Sequence, residues 1–469
     1  MSTVEFDPVA EWSAHVPLLI VGAGAAGFCA SLAAKEAGVD AVVIERDAIP
    51  SGSTALSAGL IPAAGTRFQH AKGVADSPER LANDIQRKAH GEAPVALVEM
   101  IARGSAPLIE WLTDRHALPF ELIDNFNYPG HSALRMHGLP SRTGRELIDR
   151  LRSAAELNGI DVLTRCVAET VLAEKDGRVR GLEIVRGSEK RERIGCEALI
   201  LACNGYGGNP ELVRRFIPEM ADALYFGHAG NRGDALLWGE RLGAELAYLG
   251  AYQGHGSVAM PHNILITWAV IMEGGFQVNA QGRRFGDETC GYSEQAAEVL
   301  RQPNATAWDI FDARIAGIAR QFEDFQTAER AGAIMTADSV DELAAKMRLP
   351  ADIFAAEWRN VETLKKRDGV DRYGRRFFAK QELRPPFFAV KVTGALFHTQ
   401  GGLVIDSTGR VKRKDGSLLP NLFAAGGAAM GISGNIAAGY LSGNGLLTAT
   451  VLGRQAGQNA AALVSRKSQ

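Results

Sequence analysis

Cysteine, net charge and uninterrupted hydrophobic sequence are all scarce in this chain, and each shortage excludes a class of protein. Five cysteines (Cys29, Cys166, Cys196, Cys203 and Cys290) are scattered through 469 residues. Their number is odd and none forms a CxxC or zinc-ligand spacing, so no disulfide framework or structural zinc is expected. Such cysteines usually act as small buried hydrophobes, and a reducing cytoplasm is the expected compartment. The formal net charge of −3 gives no electrostatic basis for binding nucleic acid or an acidic membrane surface. Lys190-Arg191 and Lys412-Arg413-Lys414 are too short to be more than solvated loops. The first dozen residues carry Glu5, Asp7 and Glu11 without a basic region, unlike a secretory leader. The apolar run from Val16 to Ala34 has the length of a membrane helix, but its glycines fall at the spacing of a nucleotide-binding turn. No GxSxG elbow of a serine hydrolase is present, and no His/Cys/Asp/Glu cluster has metal spacing. No metal, nucleic-acid or membrane partner is therefore expected.

What the chain does have is ordinary globular composition, 46% hydrophobic and 22% charged. Its length suggests two or three units at about 150 residues each. Leu18-Leu19-Ile20-Val21 reads as a strand buried on both faces. It runs into Gly22-Ala23-Gly24-Ala25-Ala26-Gly27, then an alanine-rich helix stopping near Gly38, then a second strand, Val42-Val43-Ile44, closed by Glu45. In GxGxxG the first glycine makes the tight turn, the second admits the pyrophosphate, and the third lets helix and strand approach. Glu45 stands 18 residues after Gly27, where an acid accepts hydrogen bonds from a ribose diol. The same charge would repel a 2′-phosphate, so NADP is not expected.

Two further segments point to FAD. Ser51-Gly52-Ser53-Thr54 and Ser57-Ala58-Gly59 could line the pyrophosphate and flavin. Gly426-Gly427 and Ser442-Gly443-Asn444-Gly445-Leu446 could supply backbone N–H groups, with a helix starting near Asn444 turning its positive end to the flavin O2 side. Ala198–Ala202 and Leu422–Ala425 are further buried-strand patterns ending in glycines, so the nucleotide domain is expected to be discontinuous. The middle carries amphipathic helical stretches at Val340–Met347 and Ile353–Lys366. The expected division is an FAD-binding domain at 1–251 and 397–469 and an inserted domain at 252–396.

The Gly22–Gly27 turn with Glu45, the Ser51–Gly59 loop and Leu201-Ala202-Cys203-Asn204-Gly205-Tyr206-Gly207-Gly208-Asn209-Pro210 form the first part of a series. Asn231-Arg232-Gly233-Asp234-Ala235, Gly282-Arg283-Arg284-Phe285, His398-Thr399-Gln400-Gly401-Gly402 and the run from Leu422 to Gly457 continue it. Together they resemble the flavoprotein family of fumarate reductase, succinate dehydrogenase and the 3-ketosteroid dehydrogenases, from about Pro17 to Gly457. The resemblance implies an α/β fold: a discontinuous Rossmann-like FAD domain with an inserted α+β capping domain and the active site between them. It implies hydride transfer between flavin N5 and a substrate carbon, with a protein group handling the proton on the neighbouring carbon. The cofactor contacts it implies are Gly22, Gly24, Ala25, Ala26, Gly27, Glu45, Arg46, Ser53, Thr54, Ser57, Ala58, Gly59, Val167, Ala202, Asn204, Gly205, Asn231, Asp234, Gly426, Gly427, Ser442, Asn444, Gly445 and Leu446. No cysteine or histidine is obviously placed to anchor FAD, so non-covalent binding is expected.

The departures from the family bear on substrate. Fumarate reductases carry a carboxylate-gripping arginine in the C-terminal segment, where this chain has Tyr440, and a glutamate–arginine relay after the RF motif, where Glu288 is followed three residues later by Gly291. Arginine is the residue that recognises carboxylates well. Gly439-Tyr440-Leu441-Ser442-Gly443 instead looks like the active-site run of the 3-ketosteroid Δ4-dehydrogenases, in which tyrosine and serine form the proton-accepting pair. Tyr292 is the candidate for a further tyrosine that polarises the ketone, and His398 matches a substrate-binding histidine of fumarate reductases. His255 is a weaker candidate, with a loop histidine as the plainer reading. Arg284 reads as a structural partner of Glu288 or as a holder of an acidic substrate. A tyrosine, with an ordinary pKa of about 10, is a poor base at neutral pH unless perturbed or relayed, here through Ser442.

The expected function is an FAD-dependent oxidoreductase on CH–CH bonds. It would desaturate a small ketone-like substrate, or reduce the alkene, with an electron acceptor or donor of unspecified kind. The alternatives are a reductase of unsaturated carboxylates, an amine or hydroxy-acid oxidase, and a non-catalytic flavin electron carrier.

Overall fold

The computed structural model describes residues 2–9, 11–187, 190–377 and 381–467. The chain forms two compact units.

The first unit comprises Met1–Ile217, Gly227–Tyr252 and His398–Gln469. Its centre is a parallel sheet in which Ala14–Val21 lies between Lys190–Leu201 and Ala41–Ile44. Asp161–Leu163 extends it beyond Ala41–Ile44, and Leu418–Ala424 pairs with Lys190–Leu201 on the other side. Leu18, Leu19 and Ile20 are fully buried, as strands covered on both faces require. Cys166–Ala173, Val179–Arg186 and Lys190–Leu201 form an antiparallel meander that continues the sheet.

The helix Ala25–Glu36 is buried along ten consecutive residues, from Ala25 to Ala34. Its small side chains let the C-terminal helix Asn444–Lys467 touch it backbone to backbone. A Cβ on Gly453 would lie 2.3 Å from the Ala26 carbonyl oxygen, and one on Gly457 would lie 2.1 Å from that of Ala30. The end of the chain thereby braces the helix that opens the nucleotide turn.

The second unit comprises Pro218–Phe226 and Gln253–Phe397. One segment departs from the expected division: Pro218–Phe226 leaves the flanking FAD-domain sequence because Leu224–Tyr225 pairs in parallel with Ala395 and Leu396. A sheet runs through this unit in the order Ile264–Leu265, Tyr252–Ala259, Phe387–Thr399, Thr306–Asp312, Phe276–Val278. The amphipathic stretches form helices at Val340–Met347 and Ala351–Arg367.

The interior of this unit holds an ionic cluster. Arg284 grips Glu288 through Nε and Nη2 at 3.0 and 2.6 Å and also bonds Asp371. Arg375 reaches Glu288 at 2.9 Å and the carbonyls of Ile271 and Gly275. Arg284 is thus a structural partner of Glu288. Burial opposes ionisation of Glu288, but Arg375 and Arg284 outweigh it and hold the carboxyl down to about 2.

Asp309 shares this interior, and among the described residues no cation pairs with it. It is hydrogen-bonded by Ser257 and, at 2.7 Å, by Gln277 Nε2. Burial, assisted by the charge of Glu288, pushes its carboxyl up to about 7. The ordinary aspartate value is about 3.9. The folded protein therefore holds this proton more tightly, and the associated stability, complete below that value, is lost as pH rises through 7. Asp309→Asn is expected to flatten the decline in urea midpoint between pH 5 and pH 8. An unchanged decline would mean that Asp309 titrates normally.

Candidate active site

All expected cofactor contacts and three of the four catalytic candidates lie in the first unit. The Gly22 N–H donates to the Ile44 carbonyl at 2.8 Å, closing the turn onto the second strand. Gly22 has φ +103°, and a Cβ there would sit 2.5 Å from the Ala202 carbonyl oxygen. A Cβ on Gly27 would sit 1.9 Å from the Gly22 carbonyl oxygen, so strand and helix meet at this spacing only through glycine. At Gly24 the nearest atom to a hypothetical Cβ is Thr54 Oγ1 at 3.6 Å, an ordinary contact, so packing within the chain does not demand glycine there, whereas close approach of a pyrophosphate would. The N–H groups of Gly24 and Ala26 have no acceptor among the described residues, while that of Ala25 is taken by Thr54 Oγ1 at 3.1 Å.

Glu45 is buried, and its two carboxylate oxygens accept the N–H groups of Ala23 and Asp47, both at 2.9 Å. It braces the glycine turn, with lone pairs left over for a diol. Cys166 N–H donates to the Glu45 carbonyl at 2.9 Å, which sets Val167 beside the end of this strand. Arg46 and Asp234 pair with each other at 2.9 Å, and Ser53 Oγ accepts from Asn231 Nδ2 at 2.9 Å. Three segments distant in sequence thus converge here. Gly52–Ala55 is a short helix where a loop was expected. Ser57 spends its hydroxyl on its own turn, donating to the Thr54 carbonyl and accepting from Gly59 N–H, and Ala58 is exposed. Gly427 lies against the Asn204 side chain, and Gly426 against Ala26.

The other end of the site is the start of the helix Asn444–Lys467. Gly443 precedes it, so no side chain caps it, and the N–H groups of Gly445 and Leu446 find no acceptor among the described residues. The Asn444 side chain is completely buried, yet neither Oδ1 nor Nδ2 has a partner among the described residues. A buried amide with no partner costs free energy, about 1–3 kcal/mol for each unsatisfied group. Donors at a helix N-terminus beside a buried orphan amide are what the polar edge of a flavin requires.

His398 lies on this helix start. A Cβ on Gly445 would be 2.6 Å from its Nε2, so only glycine admits the ring. Ser433 Oγ donates to Gln400 Oε1 at 3.1 Å, which turns the Gln400 Nε2 group to His398 Nδ1 at 3.0 Å. Nδ1 also lies 3.4 Å from the Thr399 carbonyl, to which it could only donate; the shorter amide contact favours Nδ1 as acceptor, with the proton on Nε2. Desolvation holds the imidazole pKa down to about 4, so the ring is a neutral donor at pH 7. The Tyr440 ring meets His398 edge-on, with centroids 5.7 Å apart. Tyr440 and Ser442 are both buried.

Tyr292 and His255 belong to the second unit, where their rings stack at 4.8 Å, flanked by Trp268 and Phe397. Burial lowers His255 to about 3. His131 was not singled out from the sequence; its Nε2 bonds the Ser442 carbonyl at 2.9 Å.

The chain matches the FAD binding domain family over residues 18–446. It belongs to that family. A probable fumarate reductase of Shewanella frigidimarina is 30% identical over 448 residues, spanning 95% of this chain and 74% of the relative. The open conformation of a flavocytochrome c3 fumarate reductase superposes with a TM-score of 0.82 at 30% identity, over 97% of this chain and 79% of that one. The 3-ketosteroid-Δ4-(5α)-dehydrogenase of Rhodococcus jostii RHA1 shares the fold, with a TM-score of 0.78 at 23% identity over 98% and 100% of the two chains. This member of the family is an FAD-dependent oxidoreductase acting on carbon–carbon double bonds. Among the described residues, no helix is long and apolar enough to cross a membrane.

Proposed function

We propose that the protein desaturates, or reduces the alkene of, a small substrate at the bond beside a ketone-like carbonyl. Bound FAD supplies the two-electron couple. Tyr440 handles the proton on the carbon next to the carbonyl, Ser442 relays it, and His398 holds the carbonyl oxygen through its Nε2–H. The observation that carries this reading is the neutral, donor-ready His398 ring set against Tyr440 over Gly445. A neutral donor suits a carbonyl oxygen that gains charge as an enolate forms.

The runner-up is a reductase of unsaturated carboxylates, which the likeness to fumarate reductases favours. A carboxylate calls for arginine. The most deeply buried arginines are already engaged: Arg284 and Arg375 by Glu288, and Arg135 by Asp76 and Asp84. The five free thiols fit the cytoplasm.

Anaerobic bleaching of the flavin band separates the two readings. Saturated cyclic ketones are expected to bleach it and enones to restore it. Response to succinate and fumarate alone would overturn the ketone reading. FAD is held without a covalent bond in this proposal, so acid precipitation is expected to release all yellow colour into the supernatant; colour retained in the pellet would show a covalent link.

A further inference from the structure

We propose that His131 is a positioning residue for the flavin: by holding the Ser442 carbonyl, it keeps the Leu446 N–H free to serve the cofactor. This rests on the reading that the flavin's polar edge sits at the start of the helix Asn444–Lys467.

The regular helical partner of the Leu446 N–H is the carbonyl four residues back, that of Ser442. That bond is not made; the carbonyl accepts instead from His131 Nε2 at 2.9 Å. The ring is held in place from its own side. Gly130 packs on Leu441, and a Cβ there would fall 2.7 Å from Leu441 Cδ1. The next residue, Ser132, donates both its N–H and its hydroxyl to Asp84 Oδ2, each at 2.8 Å. Asp84 is bonded by Arg135 Nη1 at 2.6 Å, and Arg135 makes a two-point bond to Asp76 at 2.9 Å on each arm. All three side chains are essentially inaccessible. The loop that carries His131 is thus tied by ion pairs to Asp76, just before the helix Pro78–Lys88, and to Asp84 within it.

Two polar groups beside this bond have no partner among the described residues, His131 Nδ1 and the Asn444 amide, both buried. A ligand edge bearing both donor and acceptor atoms would satisfy them. Without the His131 donor, the Ser442 carbonyl is released to capture the Leu446 N–H. That would withdraw one donor from the negative charge that builds on a reduced flavin.

The test uses the holoenzyme in three variants. His131→Phe keeps a ring without the donor, and His131→Gln returns an N–H near the position of Nε2. Asn444→Leu probes the underlying placement of the flavin. His131→Phe is expected to lower the two-electron midpoint potential of bound FAD by about 30 mV, a tenfold change in relative affinity for the reduced and oxidised forms. His131→Gln is expected to restore most of it. A wild-type potential in His131→Phe, with Asn444→Leu shifted, would overturn the role of His131 alone. Wild-type potential and FAD affinity in Asn444→Leu would overturn the placement of the flavin itself. A potential lowered equally in His131→Phe and His131→Gln would show that shape rather than the hydrogen bond matters, and would also overturn the proposal.

Discussion

Tyr440→Phe is expected to lower turnover by about 10²- to 10⁴-fold, the range for losing a general acid–base group, while FAD content stays at the wild-type level. The substitution removes only the phenol oxygen. The ring that meets His398 edge-on at 5.7 Å remains, and no charge is left buried. Single-turnover bleaching by substrate is the direct measurement, because it isolates the chemical step from reoxidation. Turnover within a few-fold of wild type would remove Tyr440 from the proton transfer. It would then be a packing residue at the helix start, the plainer role open to any buried aromatic.

Glu288→Ala carries the largest expected effect on stability. Glu288 faces two buried guanidinium groups, Arg284 and Arg375. Removing the acid leaves both cations short of their counter-charge, and breaking a buried pair in this way costs about 3–5 kcal/mol. Urea unfolding would report it as a lower midpoint. The same contact predicts acid sensitivity. The folded carboxyl is held at about 2, below the ordinary glutamate value of about 4.3. Its stabilisation is therefore complete above that ordinary value and is lost as pH falls towards 2. A wild-type midpoint in Glu288→Ala would mean that the cluster relaxes around its arginines.

The parts of the fold that were legible in the sequence are those whose causes are local. The Gly22–Gly27 turn is readable because strand, turn and helix follow one another within about 30 residues, each with its own residue signature. The helix Val340–Met347 is readable from its apolar spacing alone. What escaped rests on pairings between distant segments. His131 and Ser442 lie 311 positions apart, and the acceptor is a backbone carbonyl, which no residue type advertises. Arg375 reaches Glu288 across 87 positions. Pro218–Phe226 carries nothing that marks its two-residue pairing with Ala395 and Leu396. Arg46 and Asp234, each expected to meet the cofactor, pair with each other. Charged side chains in a motif announce that they are needed without announcing their partner.

The backbone contact between Gly453, Gly457 and the helix Ala25–Glu36 also orders events during synthesis. The glycine turn is synthesised more than 400 residues before the helix that braces it and before the N–H groups of Gly445 and Leu446. At roughly 5–20 residues per second, the nascent chain waits tens of seconds with half a nucleotide site. Over that interval Ala26 and Ala30 present an uncovered apolar face. Assembly of the flavin pocket thereby waits on the synthesis of the Asn444–Lys467 helix, however early the glycine turn is made.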